Sequence, residues 1–191
     1  MSLSTTIQML FQALMRPKQN IHIDTIPQGR VIDIGGGGEG VIAQAGGARV
    51  VAVDKLFSEI MEARDNAKDA LWLTADATAL PFDNERFDNA TAFFSCMYMP
   101  EAVKEKVFAD ARRVLKPGSE FWIWDVPMRA NGKVIAIFLQ AHLPNGKKVN
   151  TGYGVRAKDQ SIERFGQLLQ AAGFEWQVAE KQKHWFLIKA K

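Results

Sequence analysis

The chain has 191 residues but only one cysteine, three histidines and two tyrosines. A lone Cys96 closes no disulfide within the chain, so the fold must stand on its apolar core. His22, His142 and His184 show no metal-ligand spacing, and no metal is expected. No uncharged run is long enough to cross a bilayer and no leader pattern is visible, which sets a cytoplasmic location as the expectation and argues against a membrane partner. Charge of one sign is also scarce. Lys and Arg number 24 against 21 Asp and Glu, and the basic residues are interleaved apart from short clusters such as Lys147-Lys148. That pattern gives no basic stripe for nucleic acid. There is no repeat, low-complexity tract or compositional break, so residues 1–191 read as one domain.

What the chain does have is 47% apolar residues, enough for a sizeable core. Ser4 to Met15 carries Ile7, Leu10, Phe11 and Leu14 at helical spacing, predicting an N-terminal amphipathic helix over about 4–15. From Arg30 the pattern changes to short runs that are apolar on both faces: Val31–Ile34, Arg49–Val53, Trp72–Thr74, Asn89–Phe94 and Glu120–Asp125. Helical segments over Phe57–Asn66 and Glu101–Leu115 alternate with them, which predicts an α/β fold with a mostly parallel sheet buried between helices. Pro117-Gly118 is expected to stop the second of these helices.

After Asp125 the rhythm breaks. Asn131-Gly132 and Asn145-Gly146 both read as hairpin-turn pairs, and Val134–Leu143 with Lys148–Val155 predicts a hairpin insertion over about 132–155. A helix over Asp159–Ala172, closed by Gly173, then precedes Phe174–Glu180 and Trp185–Ala190, two strands near enough to form a C-terminal antiparallel hairpin.

The stretch "VIDIGGGGEGVIAQ" over residues 31–44 reads as strand, glycine turn and helix start, and Gly35, Gly37 and Gly40 literally satisfy G-x-G-x-x-G. Such a turn presents backbone N–H groups at the strand's C-terminal edge. An NAD-dependent oxidoreductase is one reading. Against it, Asp33 stands two residues before the first glycine, where a pyrophosphate would meet a negative charge. Asp54 ends the next strand, suited to two ribose hydroxyls, and Asp76 follows the third run. Three carboxylates around one glycine turn suit an amino group, a ribose and an exocyclic amine, a set that S-adenosylmethionine carries together with a positive sulfonium.

"VIDIGGGGEG", "VVAVD", "TADATALPFDNERFDNATAFFS" and "ARRVLKPGSEFWIWD", in that order, resemble the successive motifs of class I S-adenosylmethionine-dependent methyltransferases of the type 11 group. The resemblance covers about Arg30 to Asp125 and implies a Rossmann-like, seven-stranded sandwich. It implies S-adenosylmethionine as cofactor and S-adenosylhomocysteine as product. By the resemblance, Asp33 lies near the methionine amino group and Gly35, Gly36 and Gly37 admit the methionine moiety. Asp54 holds the ribose, Lys55 and Leu56 flank the adenine, Asp76 and the Ala77 N–H read its edge, and Phe94 and Ser95 border the methionine end. Glu39 stands where the family has a further glycine, and Cys96-Met-Tyr-Met99 where many relatives carry a histidine. No base is therefore carried over.

Methyl transfer from a sulfonium chiefly needs an oriented acceptor and excluded water. Tyr98, His142 and Tyr153 are the candidate catalytic residues, beside packing roles for each. Cys96 reads as a buried small residue, Trp122 and Trp124 as core, and Asp125 as a pocket or turn residue. The expected function is methyl transfer to a small-molecule acceptor. A non-catalytic cofactor-binding protein of the same fold and the NAD-dependent oxidoreductase are the alternatives.

Overall fold

A computed structural model describes residues 18–191, and the helix expected over 4–15 lies outside the described residues. Ten strands form two sheets. In chain order the elements are β1 (Gln19–His22), β2 (Val31–Ile34), α1 (Val41–Gly46), β3 (Val50–Asp54), α2 (Phe57–Arg64), β4 (Leu71–Thr74), β5 (Phe87–Phe93) and α3 (Glu101–Val114). They continue with β6 (Leu115–Asp125), β7 (Val134–His142), β8 (Lys148–Arg156), α4 (Ile162–Ala171), β9 (Trp176–Lys181) and β10 (Phe186–Ala190).

The main sheet has seven strands in the order β4-β3-β2-β5-β6-β10-β9. Strands β4, β3, β2, β5 and β6 run parallel, while β10 is antiparallel to both β6 and β9. The parallel register brings the C-terminal ends of five strands to one edge, so the residues that follow Ile34, Asp54, Thr74, Phe93 and Asp125 converge there. This is where an open α/β sheet binds ligands.

Side-chain alternation along each strand sends its two apolar sets to opposite faces. Val31, Val50 and Ala52 belong to one core, which also holds Ile42 of α1 and Ile137, Leu139 and Ala141 of β7. Ile32, Val51 and Val53 belong to the other, with Val107, Phe108 and Ala111 of α3 and Phe165 and Leu169 of α4. Both faces are covered, which is why these runs show no polar alternation. Helix α4 begins where the Ser161 side chain accepts from the Arg164 N–H at 3.1 Å and is followed by Gly173 at φ +87°.

Three local expectations are corrected. The chain leaves α3 directly into β6 at Leu115, so Pro117-Gly118 lies inside a strand rather than stopping the helix. It forms a bulge there, since Phe87 pairs with Leu115 while Asn89 pairs with Glu120. Asn131-Gly132 joins strands of different sheets and makes no hairpin, whereas Asn145-Gly146 does connect β7 to β8. The hairpin is also not alone: β1 pairs in parallel with β7, making a three-stranded sheet β1-β7-β8.

Candidate functional site

A cleft of about 870 Å³ opens at the C-terminal edge of the main sheet. This volume suits a nucleoside-sized ligand with room beyond it. The floor comes from the strand ends and the wall from the hairpin residues Gly152, Tyr153 and Gly154.

Asp33 is 1% exposed yet lines the cleft. Thr91, its neighbour in register on β5, donates its hydroxyl to Asp33 Oδ1 at 2.7 Å. Burial pushes the Asp33 carboxyl up to about 7, with the Thr91 hydrogen bond opposing and the charge of Asp54 adding to the rise. Such a group gains by meeting a cation. The glycine turn starts at Gly35, whose φ of +73° lies in the left-handed region and where a Cβ would fall 2.4 Å from Ser95 Cβ. A Cβ on Gly36 would meet Asp33 Oδ2 at 2.4 Å, and one on Gly37 would meet Glu59 Cβ at 2.5 Å. The backbone is thus cradled too closely for side chains, leaving the turn open only toward the cleft.

At the end of β3, Asp54 Oδ1 accepts from the Leu56 N–H at 2.9 Å and Oδ2 from the Gly37 N–H at 3.4 Å, which fixes the carboxylate before any ligand arrives. Asp76 is held likewise: its Oδ1 accepts from the Thr78 N–H and hydroxyl, both at 2.8 Å. These bonds hold its carboxyl below the usual range, the backbone N–H contributing most. Lys55, Leu56 and Ala77 line the cleft between the two aspartates, and Leu56 is 49% exposed. Glu59 and Glu62 of α2 add carboxylates at the rim, and burial raises the Glu59 carboxyl above its ordinary value.

The other end of the cleft is aromatic. Phe94, the residue after β5, takes φ +52°, a left-handed conformation that a non-glycine residue adopts at a cost of about 1 kcal/mol or more. Its ring stacks on Tyr153 at 5.1 Å between centroids and 11° between planes. Phe93 lines the same end, edge-on to Phe94. The Gly154 N–H donates to the Tyr98 hydroxyl oxygen at 3.2 Å, tying the wall to the turn that follows β5. Burial raises both tyrosine phenols above their ordinary range, so both remain protonated near neutrality.

All eleven residues expected at the cofactor, from Asp33 to Ser95, line this one cleft. Of the three catalytic candidates, Tyr98 and Tyr153 line it and His142 does not. His142 sits on the outer sheet, its ring 4.4 Å from that of His22. The reason is register: His142 pairs with His22 at the far end of β7, whereas Tyr153 pairs with Ile137 at its middle. Asp125 is fully buried beneath the cleft rather than facing it, with Oδ1 accepting from the Val126 N–H at 2.8 Å and from Gln160 Nε2 at 2.9 Å. Burial pushes its carboxyl up to about 6. Cys96 is buried, and burial pushes its thiol up, so it is no nucleophile.

Glu39 was the residue that motif spacing left without a role. It lines the cleft, and its Oε2 accepts from the Thr151 hydroxyl of β8 at 2.8 Å. The only signal for it in the sequence is a carboxylate standing where the family pattern has glycine. Among the described residues no cluster of His, Cys, Asp or Glu is placed to hold a metal, and no helix is long and apolar enough to cross a membrane.

Residues 31–118 match the family described as a methyltransferase domain. The chain is 40% identical over 111 residues to a ubiquinone/menaquinone biosynthesis C-methyltransferase of Paracoccus denitrificans, covering 48% of this chain and 42% of that one. It is 32% identical over 146 residues to a demethylmenaquinone methyltransferase of Thermus thermophilus, covering 69% of this chain and 66% of that one. The chain therefore spans less than two thirds of the length of either relative. Its fold is shared with an S-adenosylmethionine-dependent methyltransferase from Mesorhizobium loti, with a TM-score of 0.63 at 16% identity over 99% of each chain. Residues 31–118 thus belong to the methyltransferase-domain family, and the seven-stranded sheet built around them has the fold of class I S-adenosylmethionine-dependent methyltransferases.

Proposed function

We propose that the protein binds S-adenosylmethionine and transfers its methyl group to an apolar, ring-bearing small molecule, with residues 1–191 acting as one unit. The observation that carries this reading is the division of one cleft into a carboxylate-rich floor and an aromatic end. The floor fits the cofactor on chemical grounds. Asp33 offers one carboxylate oxygen to an ammonium, Asp54 offers acceptors to ribose hydroxyls, and Asp76 accepts from an exocyclic amine. The glycine turn leaves the space that a methionine moiety needs.

When bound, the cofactor supplies an activated methyl on a sulfonium. The chain's own residues then orient and desolvate. Tyr153, backed by the buried rings of Phe93 and Phe94, presents an apolar face for a flat acceptor, while Tyr98 closes its edge and offers a hydroxyl proton to an acceptor oxygen. The names of the two relatives, quinone-directed in both cases, support an acceptor of this kind.

Titration calorimetry with S-adenosylmethionine, S-adenosylhomocysteine and NADH in parallel tests the cofactor. Binding of the first two is expected, and NADH binding alone would return the glycine turn to the oxidoreductase reading. Formation of S-adenosylhomocysteine is then measured with a reduced demethylmenaquinone and with a small aliphatic amine. Faster turnover of the amine would sink the apolar acceptor.

A further inference from the structure

Glu39 and Thr151 are 112 positions apart, yet the Thr151 hydroxyl donates to Glu39 Oε2 at 2.8 Å. Thr151 is 5% exposed and sits two residues before Tyr153 on β8, so both side chains leave the strand on the same side. Glu39 is further held through its own backbone: its carbonyl accepts from Gln44 Nε2 at 2.7 Å, and the Gln44 carbonyl accepts from Asn145 Nδ2 at 2.9 Å. The glycine turn and the hairpin are therefore stitched together on both sides of this carboxylate. A glutamate that merely needed solvent would not be fixed in the mouth of a cleft already carrying Asp33, Asp54 and Glu59. Thr151 stands two residues from Tyr153 on β8, and Gly37, two residues before Glu39, donates its N–H to Asp54, so Glu39 lies between the aromatic end and the aspartate offered to the ribose, where a sulfonium would join the methionine and ribose parts of the cofactor.

We propose that Glu39 is a further cofactor-binding residue, a carboxylate held by Thr151 against the sulfonium, that makes the site prefer the cationic S-adenosylmethionine to the neutral-sulfur product. The inference rests on the cofactor reading above and deepens it. Asp33 meets the ammonium, which substrate and product share, and so contributes to both. Glu39 meets the one charge that disappears on transfer, so its attraction is lost when the methyl leaves. The consequence is discrimination and product release rather than rate, because a carboxylate on the ground-state cation also stabilises the reactant. The Tyr153 ring, stacked on Phe94 at the same end, adds an aromatic face to this environment.

The test compares Glu39→Gln, Glu39→Asp and Thr151→Val with the unaltered protein by calorimetric titration of S-adenosylmethionine and S-adenosylhomocysteine at low salt. Glu39→Gln is expected to lower the ratio of the two affinities about fivefold, leaving the product's affinity within about twofold, as for one partly solvated charge pair. Glu39→Asp keeps the charge and is expected to recover part of the ratio. Thr151→Val frees the carboxylate and is expected to give an intermediate ratio. Equal weakening of both ligands, or an unchanged ratio in Glu39→Gln, overturns the proposal; should that variant not fold, a wild-type ratio in Thr151→Val overturns it. If the unaltered protein binds neither ligand, the cofactor reading itself fails, an outcome separate from those two.

Discussion

The two sheets share one cleft but hold it by different means. The seven-stranded sheet supplies the floor from strand ends, and each of its three aspartates is fixed by a neighbour close in register or in sequence: Asp33 by Thr91, Asp54 by Leu56, Asp76 by Thr78. The three-stranded sheet supplies the wall through contacts that span much of the chain, from Thr151 to Glu39 and from Gly154 to Tyr98. The matched family region, residues 31–118, covers the strands and turns that build the floor and ends before β7 and β8 begin. The comparison teaches that the floor is locally encoded, while the wall depends on contacts between segments far apart in sequence. Damage to the floor should therefore remove cofactor binding, and damage to the wall away from Thr151 should largely spare it.

The strongest way to break that contrast is Gly35→Ala. The new methyl would fall 2.4 Å from Ser95 Cβ at a residue with φ +73°, so both sterics and backbone conformation oppose it. S-adenosylmethionine affinity is expected to fall about a hundredfold, equivalent to about 3 kcal/mol, with a lower melting temperature. Calorimetry and thermal unfolding read both quantities. Retained affinity would show that the turn is not the cofactor's cradle. Asp54→Ala comes next. It removes an acceptor already aligned by two backbone N–H groups, and a loss of about 1 to 3 kcal/mol in binding is expected with the fold intact. An unchanged dissociation constant would remove Asp54 from the ribose site.

Asp33→Asn separates stability from binding. The Asp33 carboxyl is raised by burial from its ordinary value of 3.8 to about 7. The folded protein therefore binds this proton more tightly than the unfolded chain does. The associated stability is fully present below about pH 4 and is lost as pH rises through about 7. At pH 8 the charged, buried carboxylate opposes folding, and Asn removes the charge. The substitution is expected to stabilise the free protein by about 2 kcal/mol at pH 8 and much less at pH 5, while weakening S-adenosylmethionine about tenfold. Urea unfolding at the two pH values, paired with calorimetry, checks the sign. Unaltered Asp33 should also bind the cofactor more weakly as pH falls below about 7, because its protonated form no longer attracts an ammonium.

Much of the floor was legible because it is written in short stretches. The runs apolar on both faces mark buried parallel strands, and parallel strands bring their C-terminal ends together, so Asp33, Asp54 and Asp76 had to meet at one edge. The wall was legible only as a hairpin. The Asn145-Gly146 turn and the runs beside it announce β7 and β8, but nothing local says that β1, more than a hundred residues earlier, pairs with β7. The same gap explains why residues of one segment end in different places. His142 and Tyr153 share one hairpin and differ only in register, which decides that one ring meets His22 and the other Phe94. Asp125 ends a strand at the right edge but turns inward to Gln160, a partner that sequence spacing does not reveal.

The smallest expected effect is also the sharpest probe of the wall. Among the described residues strand β8 is an edge of its sheet, and Gly154 donates its N–H to the Tyr98 hydroxyl oxygen at 3.2 Å. Tyr98→Phe keeps the ring and deletes only that acceptor. Tyr98 is 49% exposed, so water can take the place of the lost partner and the net cost should be about 0.5 to 1 kcal/mol. Since the bond joins the wall to the turn after β5, that cost should fall on local opening rather than on the whole fold. Amide exchange at Gly154 is expected to quicken about two- to fivefold, with the amides of Val51 and Val53 in the floor unchanged and S-adenosylmethionine affinity within about twofold. Equal acceleration in β3 would mean that wall and floor open as one cooperative unit, and the distinction between a locally held floor and a separately docked wall would not survive.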